Sequence, residues 1–185
     1  MFAAGRSSGI GAGSMLAAAA VKDFLAANGL KGRIRYYGCP AEEGGSSKGF
    51  MVRSGVFDDV DIPISWHPAA FAGVNNPVSL ACNELNFHFT GRASHASATP
   101  HLGRSALDAV ELMNVGVNYM REHMPSTARI HYAVTDTGGS APNVVQARAT
   151  VRYLIRARNL PELLSLIARV KKVAEGAALM TETSV

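Results

Sequence analysis

Cysteine is scarce in this chain: Cys39 and Cys82 are the only two among 185 residues. That excludes a disulfide framework, and a reducing cytoplasm is the simplest setting to expect. No run approaches the ~18 apolar residues of a membrane-spanning helix. The apolar start, "MFAAGRSSGIGAGSMLAAAAVKDFLAANG", carries Lys22 and Asp23 and ends in a helix-stop pattern, so it does not read as a secretion signal. Aromatic residues are few, at 7%, and are not interleaved with the basic ones. The net charge of +4 is scattered, so no nucleic-acid partner is expected. A phosphate loop is also missing. "GIGAGS" at 9–14 has no strand before it and no G-K-S/T ending.

What is present is a globular composition, 48% hydrophobic and 17% charged. Residues 14–28 predict a helix with Ser14 as N-cap and Asn28-Gly29 as its stop. "RIRYYG" (33–38) and "VDIPISW" (60–66) predict strands, with a short helix in "SSKGFMVRSG" between them. This is the beginning of an α/β layer. After residue 77 the periodicity changes. Leu85, Phe87 and Phe89 alternate on one strand face, and Ala106, Val110, Met113, Val117 and Met120 mark an amphipathic helix within 103–124. "RIHYAVT" (129–135) and "VVQARATVRYLIRAR" (144–158) alternate again, and "NLPELLSLIARVKKVAEGA" predicts a second helix. The order β-α-β-β-α lacks one strand of a ferredoxin-like unit, and the sequence stops at "TETSV", where that strand should begin. The expectation is therefore a partial α/β catalytic layer at 1–77 and a ferredoxin-like α+β domain at 78–185. The first segment is too short to close a sheet, so the chain reads as an excerpt of a larger protein.

Three stretches could carry chemistry. In "YGCPAEEGGSSKGF", Glu42 and Glu43 follow one predicted strand, and His67 follows the next in "WHP". Open α/β sheets place their sites at that edge. A carboxylate and an imidazole there can bind a divalent cation, and a second carboxylate can take a proton from water. The competing reading is an idle glycine-rich loop and an ordinary strand end. In "GRASHASATPH", His95 sits among small residues that leave room for a ligand, and an imidazole can donate to an oxyanion. A plain polar loop histidine fits the residues equally well. In "GGSAPNVV", Asn143 can bond a carbonyl or carboxylate or simply complete a turn. Arg156, on the polar face of the long strand, can hold a carboxylate or lie idle in solvent.

In order, "YGCPAEEGGSSKGFMVRSGVFDDVD", "WHP", "GRASHAS" and "APNVVQARATVRYLIRAR" resemble the M20 metallopeptidase and amidohydrolase family. The branch they resemble most contains the B-type aminobenzoyl-glutamate hydrolases, beside hippurate and indoleacetyl-amino-acid hydrolases. The resemblance runs from about residue 14 to the end. It implies that Glu42 is the general base and that Glu43 and His67 are ligands of a two-ion zinc or manganese site. It implies that 78–185 is a lid that also makes a homodimer, and it leaves open a second, different subunit. His95 would reach the active site of the partner subunit, while Asn143 and Arg156 would hold the substrate's carboxylate end. The substrate would be a small N-acyl or N-aroyl amino acid.

The sequence also departs from that pattern. A G-C-G-H-like segment with further ligands is expected before the first helix, where this chain reads "AAGRSSGIGAGS". The family's last metal histidine belongs to a second catalytic half that is not in this chain. A catalytic zinc takes about three protein ligands, so the chain alone is expected to bind metal weakly and to be inactive. A non-catalytic dimerisation or binding module that has lost its metal site is the competing expectation.

Overall fold

A computed structural model describes residues 8–41, 45–66, 70–74 and 78–185. The chain divides into two compact units, Met1–Asn75 and Asn76–Val185.

In the first unit, α1 spans Ser8–Ala27 and α2 spans Ser47–Arg53. Helix α1 starts six residues before the expected cap. Ser14 lies inside it, and its hydroxyl accepts a hydrogen bond from the Trp66 indole N–H at 2.7 Å. The helix stops where the sequence indicated. Gly29 takes φ 63°, and the Leu30 N–H returns to the Leu25 carbonyl at 2.9 Å, a turn that suits a residue without Cβ. Neither 33–38 nor 60–66 forms a strand among the described residues. A strand needs ladder partners for its backbone groups, and these segments have none among the described residues. The expected α/β layer is thus not built by the described residues. Side chains tie the segments instead: Arg33 and Arg35 both bind Asp59, and the Tyr37 ring meets Phe57 edge-on at 4.9 Å.

The second unit holds β1 (Ala81–Thr90), α3 (Ala106–Met120), β2 (Arg129–Asp136), β3 (Arg148–Ala157) and α4 (Leu160–Met180). The three strands form an antiparallel sheet in the order β1-β3-β2. Alternation along β3 sends Val151, Tyr153 and Ile155 into the core with Val110, Met113 and Val117 of α3 and Leu166 and Val170 of α4. Both helices therefore cover one sheet face. Both are capped by side chains: Ser105 accepts from the Asp108 N–H and Asn159 from the Glu162 N–H. The chain end returns to β1, where Thr90 and Ser184 exchange two backbone hydrogen bonds, at 2.8 and 2.9 Å. This contact is a single antiparallel bridge beside β1 and not a fourth strand of the sheet.

Candidate functional site

Glu42, Glu43 and His67 lie outside the described residues. His95, Asn143 and Arg156 are described, and the sheet treats them differently.

His95 and Asn143 are brought together. Past the ends of β1 and β3 the two chain segments stay antiparallel: Gly91 N–H donates to the Ala147 carbonyl at 2.8 Å, Val145 N–H to the Ser94 carbonyl at 2.9 Å and Ala96 N–H to the Asn143 carbonyl at 2.9 Å. His95 and Val144 form an isolated bridge within this run. The long strand expected at 144–158 therefore starts at Arg148, because its first residues pair with the histidine loop instead. The paired loops are anchored to α3, where Ala106 N–H donates to the Gln146 carbonyl at 2.8 Å and the Ser105 hydroxyl bonds Gln146 Oε1 at 3.2 Å. Packing there is close, since a Cβ at Gly103 would lie 2.4 Å from Ser94 Oγ and 2.9 Å from Val145 Cγ1.

The His95 ring is exposed and held in one tautomer. Its Nδ1 accepts from the backbone N–H groups of Ser97 and Ala98, at 3.3 and 3.2 Å, with the Ser97 hydroxyl also at 3.1 Å. Two amide donors require a lone pair at Nδ1, so the ring proton sits on Nε2. The outward atom is therefore an N–H donor, the group needed to meet a developing oxyanion. His88, by contrast, bonds the Thr150 hydroxyl across the sheet at 3.1 Å.

Arg156 stands at the other end of the sheet. It pairs in register with Cys82 near the start of β1 and with Arg129 at the start of β2. From Arg148 to Arg156 the strand runs about 26 Å at the usual rise. The small-residue spacing of "GRASHAS" pointed to the His95 loop, but nothing in the spacing pointed to Ser105 or Gln146. The "SALD" capping pattern at 105–108 was the available signal for Ser105. Among the described residues no group of three or more His, Cys, Asp or Glu side chains could hold a metal ion. No helix among them is long and apolar enough to cross a membrane.

Residues 81–181 match the family model described as a peptidase dimerisation domain, M20_dimer. The chain is 56% identical over 176 residues to the B subunit of p-aminobenzoyl-glutamate hydrolase from Escherichia coli, covering 95% of this chain and 37% of that protein. It is 31% identical over 160 residues to the A subunit of the hydrolase from the same organism, covering 83% of this chain and 36% of that protein. A crystal structure of an aminobenzoyl-glutamate utilization protein from Klebsiella pneumoniae matches with TM-score 0.51 and 26% identity, over 72% of this chain and 35% of that one. The chain thus spans little more than a third of the relatives it matches.

Proposed function

The chain belongs to the M20 peptidase family, and on that premise we propose that it is part of a metal-dependent amidohydrolase acting on an N-acyl or N-aroyl amino acid. An aminobenzoyl-glutamate-like compound is the substrate that fits best. The observation that carries the reading is the His95 tautomer, fixed by two amide donors in a family-matched domain.

Within this reading the residues divide the work. Glu42 takes a proton from the attacking water and passes it to the leaving nitrogen. His95 donates from Nε2 to the carbonyl oxygen as it gains charge. Asn143 and Arg156 bind the carboxylate end, Arg156 by its planar fork. Glu43 and His67 are two ligands for a divalent ion, zinc or manganese, which would polarise the carbonyl and the water. They fall outside the described residues, and the described residues do not make a metal site by themselves.

The second unit, whose chain end bridges β1 at Ser184, is read as a ferredoxin-like lid that dimerises. A small substrate cannot span the about 26 Å of strand that separates the His95 end from Arg156. That supports His95 and Asn143 serving the partner's substrate while Arg156 serves its own. A like chain or an A-type chain could be that partner, given the two-subunit naming of the relatives. The free thiols of Cys39 and Cys82 support a cytoplasmic setting.

The test is hydrolysis of p-aminobenzoyl-glutamate by the full-length protein and its Glu42→Gln variant. Turnover is expected to vanish with substrate binding kept, whereas retained turnover would sink the assignment of Glu42.

A further inference from the structure

The sheet face away from the helices carries four arginines, and their charges are treated unequally. Arg148 meets Asp136 at 3.6 Å, and Arg152 meets Glu84 at 3.4 Å and Asn86 at 3.0 Å. Arg156 and Arg129 have no carboxylate within ion-pairing distance among the described residues. These two are direct cross-strand partners, with Cα atoms about 5 Å apart. Both side chains point off the helix-covered face, since Ile155 and Ile130 beside them are buried in the core. Like charges directly opposite each other destabilise a sheet. The arrangement costs stability unless an anion lies between the two guanidinium groups.

Arg129 is also pre-set. One of its nitrogens, Nη1, donates to the Ser126 and Ala128 carbonyls, each at 2.6 Å. That anchors the head and leaves Nε and Nη2 without acceptors among the described residues. A fixed guanidinium loses less freedom when it binds a carboxylate.

We propose that Arg129 and Arg156 together form a dicarboxylate-binding site, Arg156 taking the α-carboxylate of the substrate's amino acid and Arg129 the side-chain carboxylate of a glutamate or aspartate. This rests on the amidohydrolase reading above and adds to it Arg129 as the residue that selects an amino acid with a second carboxylate. A single arginine would accept any N-acyl amino acid. Two arginines on adjacent strands select one with a second negative charge, because a neutral side chain leaves Arg129 facing Arg156 uncompensated.

The experiment is steady-state kinetics of the full-length protein on p-aminobenzoyl-L-glutamate and p-aminobenzoyl-L-alanine, for wild type, Arg129→Gln and Arg129→Lys. Arg129→Gln is expected to raise KM for the glutamate compound roughly tenfold or more, as loss of a charge-assisted pair does, and to lower KM for the alanine compound, because the uncompensated charge opposite Arg156 is gone. Arg129→Lys should recover part of the loss. Equal changes on both substrates, or none on either, overturn the proposal. If the wild type cleaves neither compound, the hydrolase reading is what fails, and glutarate binding by calorimetry then decides the site alone. Binding of glutarate above butyrate that Arg129→Gln abolishes upholds the pair; glutarate bound equally by both proteins overturns it.

Discussion

The backbone N–H of Ala96 donates to the carbonyl of Asn143 at 2.9 Å, so two residues 47 positions apart in sequence share one hydrogen-bonded rung. That rung, with His95 and Val144 bridged beside it, fixes the histidine loop against the asparagine loop. The bonds are main-chain bonds, so side-chain substitutions at His95 or Asn143 can test chemistry without removing the scaffold.

His95→Ala in the full-length protein is expected to lower kcat for p-aminobenzoyl-glutamate roughly 10²–10³-fold, the usual effect of deleting one oxyanion donor. KM and the thermal midpoint should move little, because the ring is exposed and its partners are local. A variant with wild-type kcat would remove His95 from the reaction.

Gly103→Ala should disturb the same loops from behind. The new Cβ would lie 2.4 Å from Ser94 Oγ and 2.9 Å from Val145 Cγ1, and overpacking of this kind costs about 1–3 kcal/mol. Thermal or denaturant unfolding reads the loss. Adding Ser94→Ala removes the nearer of the two contacts and should restore part of it.

Tyr153→Phe tests the core. Tyr153 is fully buried, and its hydroxyl donates to Asn114 Oδ1 at 2.6 Å. Burial pushes its phenol well above the usual tyrosine range. Losing the bond should cost ~0.5–1.5 kcal/mol, seen as a lower urea midpoint at unchanged slope. Packing of the ring against Phe87 and Tyr132 is retained in the variant.

Asp59 gives a pH-dependent contact in the first unit. Its hydrogen bond from Arg35, aided by the charges of Arg35 and Arg33, holds the carboxyl below the ordinary carboxylate range. A depressed folded value means that the contact contributes above the ordinary carboxylate pKa and is lost as pH falls through the folded one. NMR shifts of the Arg35 side chain should titrate below the usual aspartate range and stop titrating in Asp59→Asn. The pair is exposed, so salt should move the midpoint upward. A midpoint at the ordinary aspartate value would refute the contact.

Periodicity located the helices and strands of the second unit; the helices, β1 and β3 bury residues of one face, whereas in β2 only Ile130 is buried and Tyr132 and Val134 stay exposed. Val110, Met113 and Val117 recur at the helical spacing, and all three are buried. The expected strands at 33–38 and 60–66 show the limit of that signal. Alternation and β-rich composition describe a segment's fitness for a sheet, but a ladder exists only where a neighbouring strand supplies partners. The first residues of the 144–158 run show the same limit, since 143–147 pair with the loop after β1 rather than extending β3.

By itself the sequence determined the order of elements in the second unit and the family, and it nominated the candidate residues. These depend on residue type and spacing along the chain. The tertiary structure decided three things that spacing cannot hold. It put the proton of His95 on Nε2, because Nδ1 meets two backbone amides. It set Arg156 at the far end of the sheet from Asn143, because thirteen residues of mostly extended chain cannot fold back on themselves. And it placed Arg129 opposite Arg156, because antiparallel register, not sequence distance, chooses which side chains on neighbouring strands face each other.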